Sequence, residues 1–449
     1  MSVAKAKKIL DTSIPSLGPA KVKTSLSYCR YVEHCEEYVI NLTDEDLGDD
    51  HDITTGKNGS VRMEKAGPRD FLYFDPSKTR CAIVTCGGLC PGINDVIRAI
   101  VLAAHHNYNV QSVLGIRFGL QGFIDKYGHE PMLLTPENVS SIHQFGGTML
   151  GSSRGPQDPE AIVDTLERMN INALFIIGGD GTMRAAQSIV AEVTKRGLKI
   201  AVIGVPKTID NDISFITKSF GFDTAVEKAT EAIQCAHVEA TGAYKGIGLV
   251  KLMGRESGFI AAQAALALKE VNFVLIPECP FALEGEHGLL PEMEKRLDER
   301  GHVVIVCAEG AGQEFCGSSG QTDASGNPVL CDICDLLQTR MKQYFTERNL
   351  KVSMKFIDPS YIIRSVPANA NDRVYCGFLG QHAVHAAMAG KTGMVVSQLQ
   401  ARYVHLPLHL VTRRRKTVNV HSDFWRAVVE STGQELHHCL GALTSAKDK

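Results

Sequence analysis

A strand, a glycine-rich turn and a helix follow one another in residues 173–187, which read ALFIIGGDGTMRAAQ. The apolar run 173–177 has the length and composition of a strand that is buried on both faces. The glycines after it let the backbone approach a phosphate, and the helix start offers free N–H groups and a positive dipole end. The stretch therefore predicts an α/β protein with a phosphate site at the carboxyl end of a parallel strand.

A second strand end carries acidic residues. Residues 200–212 read IAVIGVPKTIDND, an apolar run followed by a lysine and two aspartates. A carboxylate only accepts hydrogen bonds, so it can take a proton from a hydroxyl or hold Mg²⁺, but it cannot bind a phosphate directly. A purely structural turn would not need two acids and a lysine. Together the two stretches predict phosphoryl transfer to an alcohol.

The strand-then-helix alternation continues over most of the chain from Arg80. The 449 residues are enough for two domains. Further strands are predicted at 81–85, 110–116, 246–252, 271–277 and 303–308, and helices at 93–101 and 159–169. This order is typical of two Rossmann-like domains with parallel sheets. Residues 1–75 are polar and are predicted to be an irregular N-terminal extension that wraps a surface or an interface.

Composition excludes several function classes. The net charge of −3 argues against a nucleic-acid or membrane-surface binder. The chain contains no uninterrupted run of roughly 18 apolar residues, so no membrane span is predicted. The N-terminus lacks the apolar core of a secretory signal. The 13 cysteines are odd in number and scattered, which is typical of a reducing compartment. A cytoplasmic location is expected, since the chain does not end in the peroxisomal-type SKL signal, and a glycosomal location is the alternative.

Two shorter motifs leave alternatives open. Gly87 and Gly88 follow the first strand and would either admit a phosphate or form a tight turn. Arg154, in the segment GSSRGPQD at 151–158, would either fork onto phosphate oxygens or be a solvated loop residue. The GGDG sequence at 178–181 also occurs in diacylglycerol, sphingosine and NAD kinases, so it supports nucleotide binding without choosing the acceptor.

Further blocks make the chain resemble the 6-phosphofructokinases. MGR at 253–255 and Glu309 each follow an apolar run, and YIIR stands at 361–364. The resemblance spans about residues 80–430. It is greatest to the long ATP-dependent enzymes of kinetoplastids, plants and some bacteria, which share GSSRGPQD and the MGR-x-SGFIA pattern at 253–261.

The resemblance implies a fold, a division into domains and a reaction. The phosphofructokinase fold has two α/β domains with the active site in the cleft between them. The bounds implied are an extension at 1–75, an ATP domain at 76–222 plus 365–412, a fructose 6-phosphate domain at 223–364, and a C-terminal segment at 413–449. The γ-phosphoryl of MgATP would pass to the 1-hydroxyl of D-fructose 6-phosphate, the committed step of glycolysis. A homo-oligomer, by family resemblance a tetramer, is also implied.

The same resemblance implies roles for individual residues. The catalytic residues would be Asp210, as the base that takes the 1-hydroxyl proton, with Lys207, Thr208 and Arg255. Asp180 would serve Mg²⁺. The ATP-binding residues would be Gly88, Arg154, Gly155, Gly179, Asp180, Gly181 and Thr182. The sugar-binding residues would be Thr208, Ile209, Asp210, Asp212, Met253, Gly254, Arg255, Glu309, Lys355, Tyr361 and Arg364. The last three would form a clamp on the 6-phosphate, with Tyr361 and Arg364 in one turn.

One departure from the short bacterial enzymes bears on the phosphoryl donor. Those enzymes have glycine where Lys207 stands, and a lysine there also occurs in pyrophosphate-dependent relatives. The pyrophosphate enzymes, however, have aspartate where this chain has Gly181, which would repel an α-phosphate. Gly181 thus favours ATP, and pyrophosphate remains the alternative donor. A non-catalytic regulatory subunit is the other alternative, but it should have lost Asp180 or Asp210.

Other departures and clusters carry weaker expectations. The aromatic residue that flanks adenine in short enzymes aligns with Leu120, and Arg98 lacks its effector-site partner because Leu102 stands there. His382 and His385 are expected to pack or lie on the surface, and Cys331 and Cys334 form no zinc pair. For the basic run 413–416, a solvated strand end or an oligomer contact is the default, and effector-phosphate binding is the alternative.

Overall fold

The structure, a computed structural model, describes residues 8–27, 30–33, 36–42, 53–54, 60–317, 320–322 and 328–434. The described residues form two compact units. The first contains the residues up to Ile209, with Ile213–Gly221 and Ser365–Lys416. The second contains Asp210–Asp212, Phe222–Arg364 and the residues from Thr417 onward.

Seventeen strands occur in the described residues, numbered in chain order. They are β1 Lys8–Ile9, β2 Val22–Lys23, β3 Glu37–Asn41, β4 Ile53–Thr54, β5 Ser60–Glu64, β6 Phe71–Leu72, β7 Arg80–Thr85, β8 Ser112–Ile116, β9 Met132–Leu133, β10 Ala173–Gly178, β11 Ala201–Pro206, β12 Gly246–Leu252, β13 Phe273–Leu275, β14 His302–Ala308, β15 Ser353–Ile357, β16 Met394–Leu399 and β17 Arg402–Pro407.

The described residues also form eleven α-helices. They are α1 Ile93–Leu102, α2 Pro159–Arg168, α3 Asp180–Lys195, α4 Phe222–Thr241, α5 Phe259–Leu268, α6 Leu289–Arg300, α7 Ile333–Glu347, α8 Ser360–Ser365, α9 Ala370–Met388, α10 Leu408–Val411 and α11 Asp423–Thr432. A π-helical turn, Ala103–Asn107, continues α1. Short 3₁₀ turns occupy Pro76–Lys78, Gly119–Phe123, Asp125–Tyr127, Ile142–Gln144 and Gln313–Phe315. None of the described helices is long and apolar enough to cross a membrane.

The first unit is built on a seven-stranded sheet in the order β17-β16-β11-β10-β7-β8-β9. Its five central strands pair in parallel, and the two edge strands pair antiparallel. The register places Gly178 opposite Pro206 and Ile177 opposite Thr85. Three neighbouring strands therefore end level with one another, and the turns that follow them open on one edge of the sheet.

The second unit contains a four-stranded, fully parallel sheet in the order β13-β14-β12-β15. Leu252 at the end of β12 lies opposite Ala308 at the end of β14. Each unit has its own hydrophobic core. The first includes Val84, Ile176 and Val202, and the second includes Leu249 and Ile305.

Local signals explain where several elements begin. Asp158 caps α2 by accepting a hydrogen bond from the Glu160 N–H at 3.1 Å, and Pro159 occupies the first helical position, where no N–H is needed. The predicted strand 271–277 is shorter than expected. It covers only Phe273–Leu275, although Asn272 before it contacts β14: its backbone N–H donates to the Val304 carbonyl at 2.8 Å, and its side-chain oxygen accepts the Val304 N–H at 2.8 Å.

Two expectations about the chain's periphery were wrong. The described part of residues 1–75 is not simply irregular, because β3 and β5 pair antiparallel and bury Ile40 and Met63 in the first core. In the second unit, Cys316 and Cys331 form a disulfide, although the cysteine pattern predicted reduced thiols.

Candidate functional site

In the first unit, the predicted phosphate motifs meet where β7, β10 and β11 end. We call this the glycine edge and define it as Gly87, Gly88, 178–182 and Lys207. The Lys207 N–H donates to the Gly178 carbonyl at 2.9 Å, and its ammonium donates to the Gly88 carbonyl at 2.7 Å. Lys207 is buried. The structure thus brings the glycine turns and this lysine together at one edge.

The glycines of this edge are needed for specific steric reasons. Gly87 has a left-handed backbone with φ of +83°, which favours glycine. A Cβ on Gly178 would lie 2.3 Å from the Thr182 hydroxyl oxygen. In contrast, a Cβ on Gly181 would meet no atom within 4 Å. Gly181 therefore faces open space, and no contact among the described residues requires its small size.

Asp180 is the first residue of α3 and faces two arginines. The Arg184 Nε lies 3.2 Å from each of its carboxylate oxygens, and the Arg415 Nε lies 3.8 Å from Oδ2. Neither arginine belongs to the predicted site. The i,i+4 spacing of Arg184 is visible in the sequence, but the position of Arg415 depends on the fold.

The segment 151–155 approaches the glycine edge through its serines. Ser152 Oγ donates to the Gly87 carbonyl at 2.6 Å, and the Gly87 N–H donates to the Ser153 carbonyl at 3.1 Å. Arg154 follows with an exposed side chain, and Gly155 has φ of +92°. The segment is held at the edge, and its arginine projects from it.

The glycine edge offers one carboxylate, that of Asp180, as a ligand for Mg²⁺. Mg²⁺ usually takes one or two protein carboxylates and completes its shell with water and substrate phosphates. The described residues contain no cluster of three or more His, Cys, Asp and Glu side chains arranged to hold a metal. Asp180 fits the role of a single carboxylate ligand beside a phosphate-binding turn.

Two predicted residues, Asp210 and Asp212, group with the second unit, together with Asn211 between them. Asn211 has φ of +56°, a left-handed conformation that asparagine tolerates better than most residues. The Asp210 carbonyl accepts a hydrogen bond from Ser257 Oγ at 3.1 Å. Asp210 and Asp212 are both half-buried. Thr208 and Ile209 precede them in the first unit, where the Thr208 carbonyl accepts from Ser219 Oγ at 2.5 Å.

The second unit gathers Met253–Arg255 and Glu309 where β12 and β14 end. The Glu309 N–H donates to the Leu252 carbonyl at 2.9 Å, and the Gly310 N–H donates to the Gly254 carbonyl at 3.1 Å. Gly254 has φ of +131°, and a Cβ there would lie 2.4 Å from the Ser257 carbonyl oxygen. Only glycine fits this close approach.

Charged groups surround Glu309, and we call this group the basic edge: Lys251, Arg255, Glu309 and Arg364. Burial raises the pKa of Glu309, and the positive charges of the other three oppose that rise. The sequence-based prediction missed Lys251. Its ammonium forms ion pairs with Asp332 at 2.9 Å and with Asp358 at 3.6 Å. Its signal was a lone charge inside the apolar run 246–252.

Two of the three predicted phosphate-clamp residues lie together. Tyr361 and Arg364 share the short helix α8, where a turn was expected, and the guanidinium lies 4.9 Å from the ring centroid. Tyr361 is exposed. Lys355 precedes this helix in the chain, on a strand. It lies in the middle of β15 opposite Gly248, and its ammonium lies 3.8 Å from the Glu239 carboxylate.

Comparisons with known proteins show to which family the chain is similar. A family model described as phosphofructokinase matches residues 80–387. The ATP-dependent 6-phosphofructokinase of Borreliella burgdorferi is 48% identical over 95% of this chain and 97% of its own length. The enzyme of that name from Amycolatopsis methanolica is 50% identical (83% of this chain, 82% of its own). The Trypanosoma brucei brucei enzyme is 47% identical (82% and 76%).

Solved structures share the fold at lower identity. A pyrophosphate-dependent phosphofructokinase from Marinobacter aquaeolei has a TM-score of 0.65 at 21% identity, over 79% of this chain and 91% of its own. The Pichia pastoris phosphofructokinase in the T-state has a TM-score of 0.61 at 22% identity, over 81% and 38%. These likenesses confirm the predicted fold and, at such identities, say nothing of substrates. From the family model and the closely similar relatives together, it follows that this chain belongs to the phosphofructokinase family.

Proposed function

We propose that this protein is an ATP-dependent 6-phosphofructokinase, which transfers the γ-phosphoryl of MgATP to the 1-hydroxyl of D-fructose 6-phosphate. The products are ADP and fructose 1,6-bisphosphate. The observation that carries the proposal is the 48% identity to an enzyme of that name over nearly the full length of both chains. The presence of both Asp180 and Asp210 argues against a non-catalytic subunit.

The chemistry rests on a base and on positive charge. Asp210 accepts the proton of the sugar 1-hydroxyl as its oxygen attacks the γ-phosphorus, while the bond from phosphorus to the ADP oxygen breaks. Lys207 and Arg255 stabilise the charge that the transferring group carries. The buried position of Lys207 supports this role, because a charge held in a site of low polarity acts strongly and needs little reorganisation.

Nucleotide binding belongs to the glycine edge in this proposal. The turns at Gly88 and 179–182, together with Arg154 and Gly155, hold the phosphates. Asp180 would hold Mg²⁺, which neutralises phosphate charge when it is bound. The open space beside Gly181 supports ATP over pyrophosphate, since an α-phosphate needs room there.

Sugar binding belongs to the basic edge and its neighbours. Thr208, Ile209 and Asp212 orient the acceptor beside Asp210, and Met253, Gly254 and Glu309 contact the sugar. Arg364 and Tyr361 hold the 6-phosphate, because a guanidinium can donate two parallel hydrogen bonds to phosphate oxygens. We assign Lys355 the weakest part in this clamp, since it is paired with Glu239.

Three further features belong to the proposal, the first two from the family resemblance and the third from the composition of the chain. They are the two-domain division with the active site in the cleft, a homotetrameric assembly, and a cytoplasmic location. The glycine edge and the basic edge can act in one reaction only if they face the same cleft between the two domains.

The deciding experiment is a coupled assay of the purified protein with fructose 6-phosphate and either MgATP or Mg-pyrophosphate. We expect turnover with ATP and little with pyrophosphate. A reversed preference would replace the donor, and no turnover with either would favour the regulatory subunit.

A further inference from the structure

The carboxylate of Asp180 lies between an arginine of its own helix and one from near the end of the chain. Arg184 stands one turn along α3 and is 56% exposed. Arg415 is 25% exposed, and the Asp180 side chain is 15% exposed. The contact with Arg415 is therefore the less solvated of the two, and it is the one that the fold has to build.

Several contacts hold the segment around Arg415 in place. We call residues 412–416 the basic brace. Thr412 Oγ1 donates to the Gln187 side chain of α3 at 3.1 Å. Arg415 pairs antiparallel with Ile213. The Lys416 ammonium donates to the carbonyls of Ile216 at 2.7 Å and Thr217 at 3.2 Å. The brace is thus attached both to the helix that carries Asp180 and to the segment 213–217.

These contacts distinguish the brace from a solvated basic run. In a solvated run, the cationic groups would point into water and make no fixed contacts. Here the Lys416 ammonium is bound by two backbone carbonyls, and the Arg415 guanidinium lies beside a carboxylate. An effector-phosphate site would need the charges of Arg415 and Lys416 for its ligand, but both groups already contact protein oxygens.

We propose that Arg415 is a positioning residue for nucleotide binding. Its guanidinium forms an ion pair with the Asp180 carboxylate, with Nε 3.8 Å from Oδ2, from a segment that the fold holds in place, and so orients the group that meets the magnesium–nucleotide complex. Arg184, being more exposed, has room to move away when the other oxygen takes a new partner. The inference rests on the proposed function and adds a specific residue to it.

The test measures nucleotide binding without turnover. Calorimetry would give the affinity of the full chain for MgADP in the wild type and in Arg415→Gln, Arg415→Lys, Arg184→Gln and Arg413→Gln. Removing a residue that orients a metal ligand typically costs about 10- to 100-fold in affinity, so we expect at least about tenfold weaker MgADP binding in Arg415→Gln. Arg415→Lys keeps the positive charge and should retain most of the wild-type affinity for MgADP.

Two controls separate position from charge. Arg413 is an exposed neighbour in the same basic run, and Arg413→Gln removes the same charge. Arg184→Gln removes the other partner of Asp180. We expect each to change MgADP affinity by less than about threefold, because exposed ion pairs contribute little. Steady-state kinetics should show a higher KM for MgATP in Arg415→Gln and an unchanged KM for fructose 6-phosphate.

Three results would overturn the inference. One is unchanged MgADP affinity in Arg415→Gln. Another is an equal rise in the KM values for MgATP and fructose 6-phosphate, with a lower Tm, in both Arg415→Gln and Arg415→Lys. That result would make the role of the brace merely structural. The third is loss of activation or inhibition by inorganic phosphate with MgADP binding intact, which would make it an effector site. Failure of the wild type to phosphorylate fructose 6-phosphate, with MgADP binding still dependent on Arg415, would contradict the proposed function and not this inference.

Discussion

Asp210 carries the largest expected effect of any single residue. General-base catalysis contributes about 10²- to 10⁴-fold in rate. We expect Asp210→Asn to lower kcat by that factor, while the KM for fructose 6-phosphate changes little because the side chain keeps its size. Steady-state kinetics with ATP would measure both. Near-normal kcat in a variant with wild-type Tm would show that another group takes the proton.

Gly181 offers a test of donor choice with a matched pair of variants. Its backbone needs no glycine, and a Cβ would meet nothing within 4 Å. Gly181→Ala should therefore leave Tm unchanged and disturb ATP use only mildly. Gly181→Asp adds a negative charge where an α-phosphate is expected and should impair ATP use severely, with pyrophosphate use less affected. Equal kinetics for Gly181→Asp and the wild type would remove the basis for the donor assignment.

Arg364 and Lys355 form a second matched pair. A lost charge-assisted hydrogen bond costs about 1.5–3 kcal/mol, or roughly 10- to 150-fold in affinity. Arg364→Ala should raise the KM for fructose 6-phosphate by such a factor and leave the KM for ATP nearly unchanged. Lys355→Ala should change either value by much less, because its ammonium lies beside Glu239. A larger effect from Lys355 than from Arg364 would reverse their places in the clamp.

At the scale of elements, strand β5 is anchored by a buried carboxylate. Glu64 lies 2.7 Å from the Lys391 ammonium, 3.2 Å from the Arg69 guanidinium and 2.9 Å from His405 Nδ1. Burial alone would raise the pKa of Glu64, but the hydrogen bond of His405 and the charge of Lys391 hold it below its ordinary 4.5. Residues far apart in the chain are joined here, so an N-terminal strand becomes part of the first unit.

Removing this carboxylate should destabilise the first unit. Glu64→Gln leaves two buried cations without their anion, which costs about 3 kcal/mol or more and lowers Tm by roughly 6–12 °C for a unit of this size. Because the folded pKa is depressed, the contribution is fully present above pH 4.5 and fades as pH falls below it. Melting curves at pH 7 and pH 4 would measure this. The difference in Tm between the wild type and Glu64→Gln should be smaller at pH 4 than at pH 7, and a larger difference at pH 4 would contradict this role of Glu64.

At the scale of the whole molecule, the prediction concerns assembly. The family resemblance predicts a homotetramer, so analytical ultracentrifugation should give about four times the mass of one chain. A monomer at concentrations used in the assay, with full activity, would show that assembly is not needed for catalysis. Dilution experiments that follow mass and activity together would distinguish the two outcomes.

Local patterns in the chain were enough to predict the α/β fold and most of the strands whose ends carry the two edges. Apolar runs of strand length, followed by glycines or acids, report burial and turn chemistry at each position. They do not report which strands are neighbours. Strand order and register bring Gly88 and Lys207 into contact, and chain folding brings Arg415 to Asp180 and Glu64 to Lys391. Such pairings depend on long-range packing, because contacts between distant segments leave no periodic signal in either one.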